Sequence, residues 1–124
     1  MSLVWEQVIV DARRPVALGR WWADALSWVI VDGADADDDD TTTDFEIRAS
    51  ADALPGLLFV PVDDVKTVKN RLHLDFRPDD QAAEVARFES LGARRTDVGQ
   101  SDDVSWVVLT DPEGNEFCIL GSRR

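Results

Sequence analysis

The sequence is poor in the residues that form disulfides and in those that carry imidazole chemistry. Its 124 residues include one cysteine, Cys118, and one histidine, His73. A single cysteine cannot form an internal disulfide, so we expect the chain to work in a reducing compartment. Any imidazole that acts as an acid, a base or a metal ligand must be His73.

Basic residues and long apolar runs are also scarce. Thirteen Lys and Arg residues stand against 25 Asp and Glu residues, for a formal net charge of -12. Such a surface repels phosphate backbones and anionic lipids, so nucleic acid is not an expected partner. No apolar run approaches the roughly 20 residues of a membrane span, so no membrane association is expected. No export or import signal is recognisable, which predicts a cytoplasmic protein.

The first half follows the order strand, helix, strand, strand, strand. Alternating apolar residues predict a strand over Leu3–Val10, and Pro15 begins a helix that continues to about Ser27. The polar tract Gly33–Thr41 has the composition of an exposed loop. Three more strands are predicted over Trp28–Asp32, Phe45–Arg48 and Leu57–Val62.

The second half repeats this order. A strand over Arg71–Phe76 is followed by a helix that starts after Asp79 and Asp80 and ends near Gly92. The remaining strands are predicted over Ala93–Val98, Val104–Thr110 and Asn115–Leu120.

We therefore expect one α+β domain over residues 1–124, built from two βαβββ modules. The first module covers about 1–62 and the second about 71–124, with a linker over 63–70. In each module one helix covers one face of a small sheet, and the open faces of the two sheets would enclose a cup-shaped cavity.

Three segments of the second half resemble a known family. They are KNRLHLD at 69–75, LGA at 91–93 and WVVLTDPEGNEFC at 106–118, and the pair Trp21-Trp22 stands where the family usually has Phe-Tyr. The chain thus resembles the glyoxalase-like (glyoxalase/bleomycin resistance) domains of the vicinal oxygen chelate superfamily. This resemblance implies paired βαβββ modules around a cavity, a small-molecule ligand and a homodimer.

The resemblance also implies four positions that hold a divalent metal in the enzymes of the superfamily. Gln7 falls at the first position and His73 at the third, which makes them the candidate metal ligands. The second position lies near Phe59 or Val60, and the fourth is Cys118, where the enzymes have Glu. An amide and one imidazole are a weak ligand set for a divalent ion, so we expect a degenerate metal site and no firmly bound cofactor.

His73 and Asp75 are the candidate catalytic residues. They share one face of the predicted strand, where the carboxylate can hold the imidazole. A hydrogen-bonded histidine that only lines a pocket is the alternative. The candidate ligand-binding residues are Gln7, Trp5, Phe59, Trp106 and Cys118. The alternative role of Gln7 is a hydrogen bond to a neighbouring backbone group, and that of the others is packing in the core. Lys66, Lys69 and Arg71 form a basic patch that either attracts an anionic substrate or belongs to an exposed linker.

Three functions remain open at this point. The first is a small-molecule lyase or isomerase of the glyoxalase type with a degenerate metal site. The second is a binding or resistance protein of the bleomycin resistance type, without catalysis, for which a cationic compound would suit the acidic chain. The third is an interaction domain whose cavity is vestigial.

Overall fold

The structure is a computed structural model, and it describes residues 2–97, 99 and 104–123. Two compact units divide the chain, Met1–Val65 and Lys66–Arg124. Each unit has one helix and one four-stranded mixed sheet. The predicted α+β class is therefore confirmed.

The first unit has the predicted order of elements. They are β1 (Gln7–Ala12), α1 (Pro15–Leu26), β2 (Val29–Asp32), β3 (Phe45–Arg48) and β4 (Gly56–Pro61). The sheet order is β1-β4-β3-β2, in which β1 is parallel to β4 and the other pairs are antiparallel. Strand β1 begins at Gln7 rather than at Leu3, so Trp5 precedes the strand.

Helix α1 packs on this sheet through one buried stripe. Pro15 lies in its first turn, where the missing N–H would be unpaired in any case. Leu18, Trp22 and Ala25 are buried, as their spacing predicts. Trp21 was expected in the core but is only partly buried. It packs edge-on against Trp22, with ring centroids 5.0 Å apart, because adjacent residues on a helix point in directions about 100° apart.

Phe45 and Phe59 fill the centre of the first unit. They are register partners on β3 and β4, and both are 0% exposed. Along β4, Leu57 and Phe59 are buried, whereas Leu58 and Val60 are half-buried on the other face. Phe59 therefore belongs to the core and offers no surface to a ligand, which corrects its expected role in ligand binding.

The second unit repeats the arrangement of the first. Its elements are β5 (Leu74–Phe76), α2 (Gln81–Ser90), β6 (Arg94–Arg95), β7 (Val107–Thr110) and β8 (Glu116–Ile119). The sheet order is β5-β8-β7-β6, again with the first strand parallel to the last. The internal repeat predicted from the order of elements is confirmed. Val98, at the end of one predicted strand, lies outside the described residues.

Helix α2 determines which face of the second sheet stays open. Asp80 caps the helix by accepting a hydrogen bond from the Ala83 N–H at 3.1 Å. Phe88 of the helix packs on Phe117 of β8, with ring centroids 5.4 Å apart. Because side chains alternate along a strand, the residues on either side of Phe117 point away from the helix. None of the helices in the described ranges has the length and apolar character of a membrane span.

Candidate functional site

A pocket of about 390 Å³ lies on the second unit. Its apolar wall consists of Trp106, Val108 and Leu120, which come from β7, β8 and the residues next to them. Trp106 is 40% exposed, so its ring is available to a bound molecule. Every residue that lines this pocket belongs to the second unit.

His73 and Asp75 form the polar end of the pocket. His73 immediately precedes β5 and Asp75 lies within it, so the two side chains emerge on the same face. The distance from His73 Nε2 to Asp75 Oδ1 is 3.1 Å, and both side chains are about half exposed. The carboxylate thus holds the imidazole in the way that the alternation predicts.

Cys118 lies beside this pair. It is the register partner of Asp75 across the parallel ladder between β5 and β8, and it is 5% exposed. Burial, the Asp75 charge and a hydrogen bond to Asp75 raise the pKa of the Cys118 thiol to about 11, and Lys69 only partly opposes this. The thiol is therefore protonated near neutral pH and is not an activated nucleophile.

Glu116 anchors the chain segment that precedes β5. Its carboxylate lies 2.9 Å from Lys66 Nζ and accepts a hydrogen bond from the Asn70 backbone N–H at 3.2 Å. The Asn70 side-chain amide forms two more hydrogen bonds in the orientation in which both its nitrogen and its oxygen have partners. Its nitrogen donates to Glu116 Oε2, and its oxygen accepts from the Glu116 backbone N–H. Burial opposes ionisation of Glu116, but these donors outweigh it and hold its pKa below the ordinary value.

This network shows residues that sequence reasoning missed. Asn70 and Glu116 line the pocket, and neither was a candidate. Lys66 and Lys69 were noted only as a basic patch. Lys66 is paired with Glu116, whereas Lys69 lines the pocket and forms no ion pair within the described part of the chain. The one sequence signal was that patch, because nothing local links Lys66 to a carboxylate 50 positions later.

The other candidates belong to the first unit. Gln7 begins β1, is half-buried and pairs with Gly56, and Trp5 is 67% exposed. Ile9 and Leu58 are partners across β1 and β4, as Asp75 and Cys118 are across β5 and β8. Leu58 is thus the counterpart of Cys118 in the repeat. The second metal position, which the resemblance places near Phe59 or Val60, corresponds to Leu58 in this repeat, and none of these side chains supplies an oxygen ligand.

The second unit contains a group of side chains of the kind that holds a divalent metal. His73, Asp75 and Cys118 each offer one ligand atom, and these three atoms lie within 4.8 Å of one another. Ligand atoms around a four-coordinate zinc lie roughly 3.3–3.8 Å apart, given bond lengths of about 2.0–2.3 Å. The 3.1 Å between His73 Nε2 and Asp75 Oδ1 is close to this spacing. Of the two candidate ligands, the structure brings His73 into this group, whereas Gln7 lies in the first unit.

Comparison with known proteins places the chain in a family. The family model of the glyoxalase-like domain matches residues 7–120, so the chain belongs to this family and the resemblance found in the sequence is confirmed. No curated protein matches the sequence significantly.

Several solved structures share the fold. TnmS3, an antibiotic binding protein from Streptomyces sp. CB03234, has 16% identity, with 99% of each chain covered and a TM-score of 0.64. The fosfomycin resistance protein FosX from Mesorhizobium loti has 13% identity, with 98% of this chain and 92% of that chain covered and a TM-score of 0.64. The trypanothione-dependent glyoxalase I of Leishmania major has 14% identity, with 97% of this chain and 87% of that chain covered and a TM-score of 0.67. At these identities the likeness shows the fold alone.

Proposed function

We propose that this chain binds a small organic molecule in the pocket of the second unit and converts it as a lyase or isomerase of the glyoxalase type. The observation that carries the proposal is the division of the pocket. An indole and two aliphatic side chains form one wall, and an imidazole held by a carboxylate stands at the other end. Pockets of this composition bind a carbon skeleton on one side and orient its polar group on the other.

Each part of the pocket has a defined task. Trp106 presents a flat apolar surface on which the carbon skeleton of the ligand packs. His73 reaches the polar group of the ligand, and Asp75 holds the ring in place through the 3.1 Å contact. Two roles of His73 fit this position, an acid or base that exchanges a proton with the substrate, or a metal ligand. A divalent metal held by His73, Asp75 and Cys118 would polarise a carbonyl oxygen as a Lewis acid.

Deuterium exchange tests the catalytic proposal. The protein is incubated in D2O with small α-hydroxy ketones such as hydroxyacetone, and exchange of the proton next to the carbonyl is followed by NMR. We expect exchange with the wild type and a loss of at least about 100-fold in His73→Gln, the range that general acid–base groups supply. Asp52→Asn, at an exposed position of the first unit, is the matched control. Equal rates in His73→Gln and the wild type would refute the catalytic role.

Binding without conversion is the second candidate. It is favoured by the exposed indole of Trp106 and by the carboxylate of Asp75 at the pocket, which suit a cationic compound. Titration with a cationic glycopeptide antibiotic should then quench tryptophan fluorescence saturably, and the change should be absent in Trp106→Phe. Quenching that persists in this variant would place the compound elsewhere.

We also propose that the chain forms a homodimer and works in the cytoplasm. The family resemblance supports a homodimer, and C2 dimers are the commonest soluble oligomers. The single cysteine supports a reducing, cytoplasmic setting. Light scattering coupled to gel filtration tests the dimer, and a mass near the 13.8 kDa of one chain would exclude it.

A further inference from the structure

We propose that His73, Asp75 and Cys118 form a metal site contained in the second unit, and that this site selects zinc-like ions over magnesium and calcium. The inference deepens the proposed function and rests on it for the role of the pocket. The binding of the metal itself can be measured without any substrate.

The sheet positions the three donors. Asp75 and Cys118 are register partners on two hydrogen-bonded parallel strands, so the backbone fixes the approach of the carboxylate to the sulfur. His73 lies two residues before Asp75 and emerges on the same face. The Nε2 atom of His73 is 3.1 Å from Asp75 Oδ1, and the three donor atoms all lie within 4.8 Å.

The charges of the donors balance those of a divalent ion. Asp75 contributes one negative charge, and Cys118 contributes a second when the metal displaces the thiol proton to solvent. Two anionic donors offset the charge of the ion in a partly buried site, which a neutral amide and one imidazole would not do. Glu116, the other carboxylate of the pocket, is held by Lys66 and Asn70 and is not needed as a ligand.

The chemistry of the donors selects the metal. A thiolate is a soft ligand and an imidazole is borderline, a combination that suits Zn²⁺ and Co²⁺. Magnesium and calcium prefer six or more oxygen ligands, of which this group supplies too few. Three protein ligands leave a fourth position open, and since all three residues line the pocket, a ligand in the pocket can reach that position.

This arrangement differs from the one that the family resemblance implies. The resemblance divides the ligands between the two halves and places Glu where this chain has Cys118. Here all three donors come from one unit. Asp75 provides the carboxylate that its counterpart in the repeat, Ile9, cannot provide.

Cobalt absorption spectroscopy tests the site. Chelator-treated protein is titrated with Co²⁺, and the thiolate-to-cobalt charge-transfer band in the near ultraviolet is recorded. We expect one equivalent to bind with this band, Zn²⁺ to displace it, and excess Mg²⁺ or Ca²⁺ to leave it unchanged. The band should vanish in Cys118→Ser, and Asp75→Asn and His73→Gln should each bind Co²⁺ at least tenfold more weakly. Asp52→Asn, an exposed carboxylate change in the first unit, should bind like the wild type.

A second measurement covers the case in which Cys118→Ser fails to fold. Zn²⁺ should protect Cys118 of the wild type from alkylation by iodoacetamide at pH 7.5, at least tenfold, and it should not do so in Asp75→Asn. Cobalt that binds without the charge-transfer band, or zinc that leaves alkylation unchanged, would overturn the site. If the site fails while exchange of substrate protons still depends on His73, the proposed function stands as metal-free acid–base catalysis. If the site forms but no substrate is bound or converted, only the proposed function fails.

Discussion

Replacing Gly19 by alanine should destabilise the first unit, even though alanine favours helices. At an unconstrained helix position this change would stabilise the protein by about 1 kcal/mol. Here a Cβ would lie 2.1 Å from Phe45 Cδ2 and 2.8 Å from Phe45 Cε2. This is roughly 1.4 Å inside ordinary carbon–carbon contact. The ring has little room to retreat, because Phe45 is fully buried and paired with Phe59.

The magnitude follows from these two opposing effects. Overpacking of a close-packed core costs up to about 3 kcal/mol, and an approach this short belongs at the upper end of that range. After the gain in helix propensity, the free energy of unfolding should fall by about 2 kcal/mol. For a chain of this size, that corresponds to a decrease in Tm of about 8 °C.

Thermal and urea unfolding, followed by circular dichroism, measure the effect. Phe45→Leu is the matched partner, because it removes the ring that the new methyl group would meet. In the Phe45→Leu background, Gly19→Ala should cost much less than in the wild type, which gives a coupling energy above about 1 kcal/mol. A Gly19→Ala protein that melts at or above the wild-type temperature would refute the close approach of α1 to β3.

Three other outcomes follow from the second unit. Asp80→Ala removes the hydrogen bond to the Ala83 N–H and should lower the free energy of unfolding by about 1 kcal/mol, which urea unfolding can measure. Glu116→Gln removes the ion pair with Lys66 and should cost about 1–2 kcal/mol, because both side chains are partly shielded from solvent. No loss in the same assay would show that solvent replaces the pair. In metal-free protein the pKa of Cys118 is raised to about 11, so alkylation at pH 8 should be about a hundredfold slower than for an ordinary thiol. The alkylation rate should rise about tenfold per pH unit up to pH 10. Denatured protein, in which Cys118 is solvated, is the control, and equal rates in the two states would contradict the pKa shift.

Local sequence patterns were sufficient to predict the order of the helices and strands. Periodicity, Pro15 at one helix start and acidic residues before the other are properties of neighbouring residues, so the sequence shows them directly. The ends of strands depend on the partner strand. The ladder between β5 and β8 begins at Leu74 opposite Phe117, which is why the strand predicted from Arg71 starts three residues later.

The site was predictable only where its residues are close in sequence. His73 and Asp75 are two positions apart, so alternation places them on one face. The contact of Asp75 with Cys118 depends on the register of two strands that are more than 40 residues apart, and only the family resemblance pointed to Cys118. Phe59 was misplaced because a shift of one residue along a strand exchanges the core face and the open face. The pairing of Lys66 with Glu116 had no local signal at all.

The distribution of charge bears on which ligand the pocket takes. The first unit carries 14 acidic and 4 basic residues, a formal charge of -10, whereas the second carries 11 acidic and 9 basic residues, a charge of -2. The pocket therefore belongs to the nearly neutral unit, where Lys66 offsets Glu116 and Lys69 adds a cation. Most of the net negative charge is thus carried by residues that do not line the pocket. Exposed charges more than about 8 Å away are largely screened at physiological ionic strength.

Ionic strength can separate these two sources of attraction. If the net charge of the chain draws a cationic compound, its Kd should rise at least about tenfold between 20 mM and 500 mM salt, because salt screens exposed charges. If contacts with Trp106 and Asp75 dominate, the Kd should change by less than about threefold, and Asp75→Asn should weaken binding at both salt concentrations. We expect the second result, since Trp106 and Asp75 line the pocket and would touch the compound directly. A steep salt dependence that Asp75→Asn leaves unchanged would show that the charge of the whole chain, and not the pocket, captures the compound.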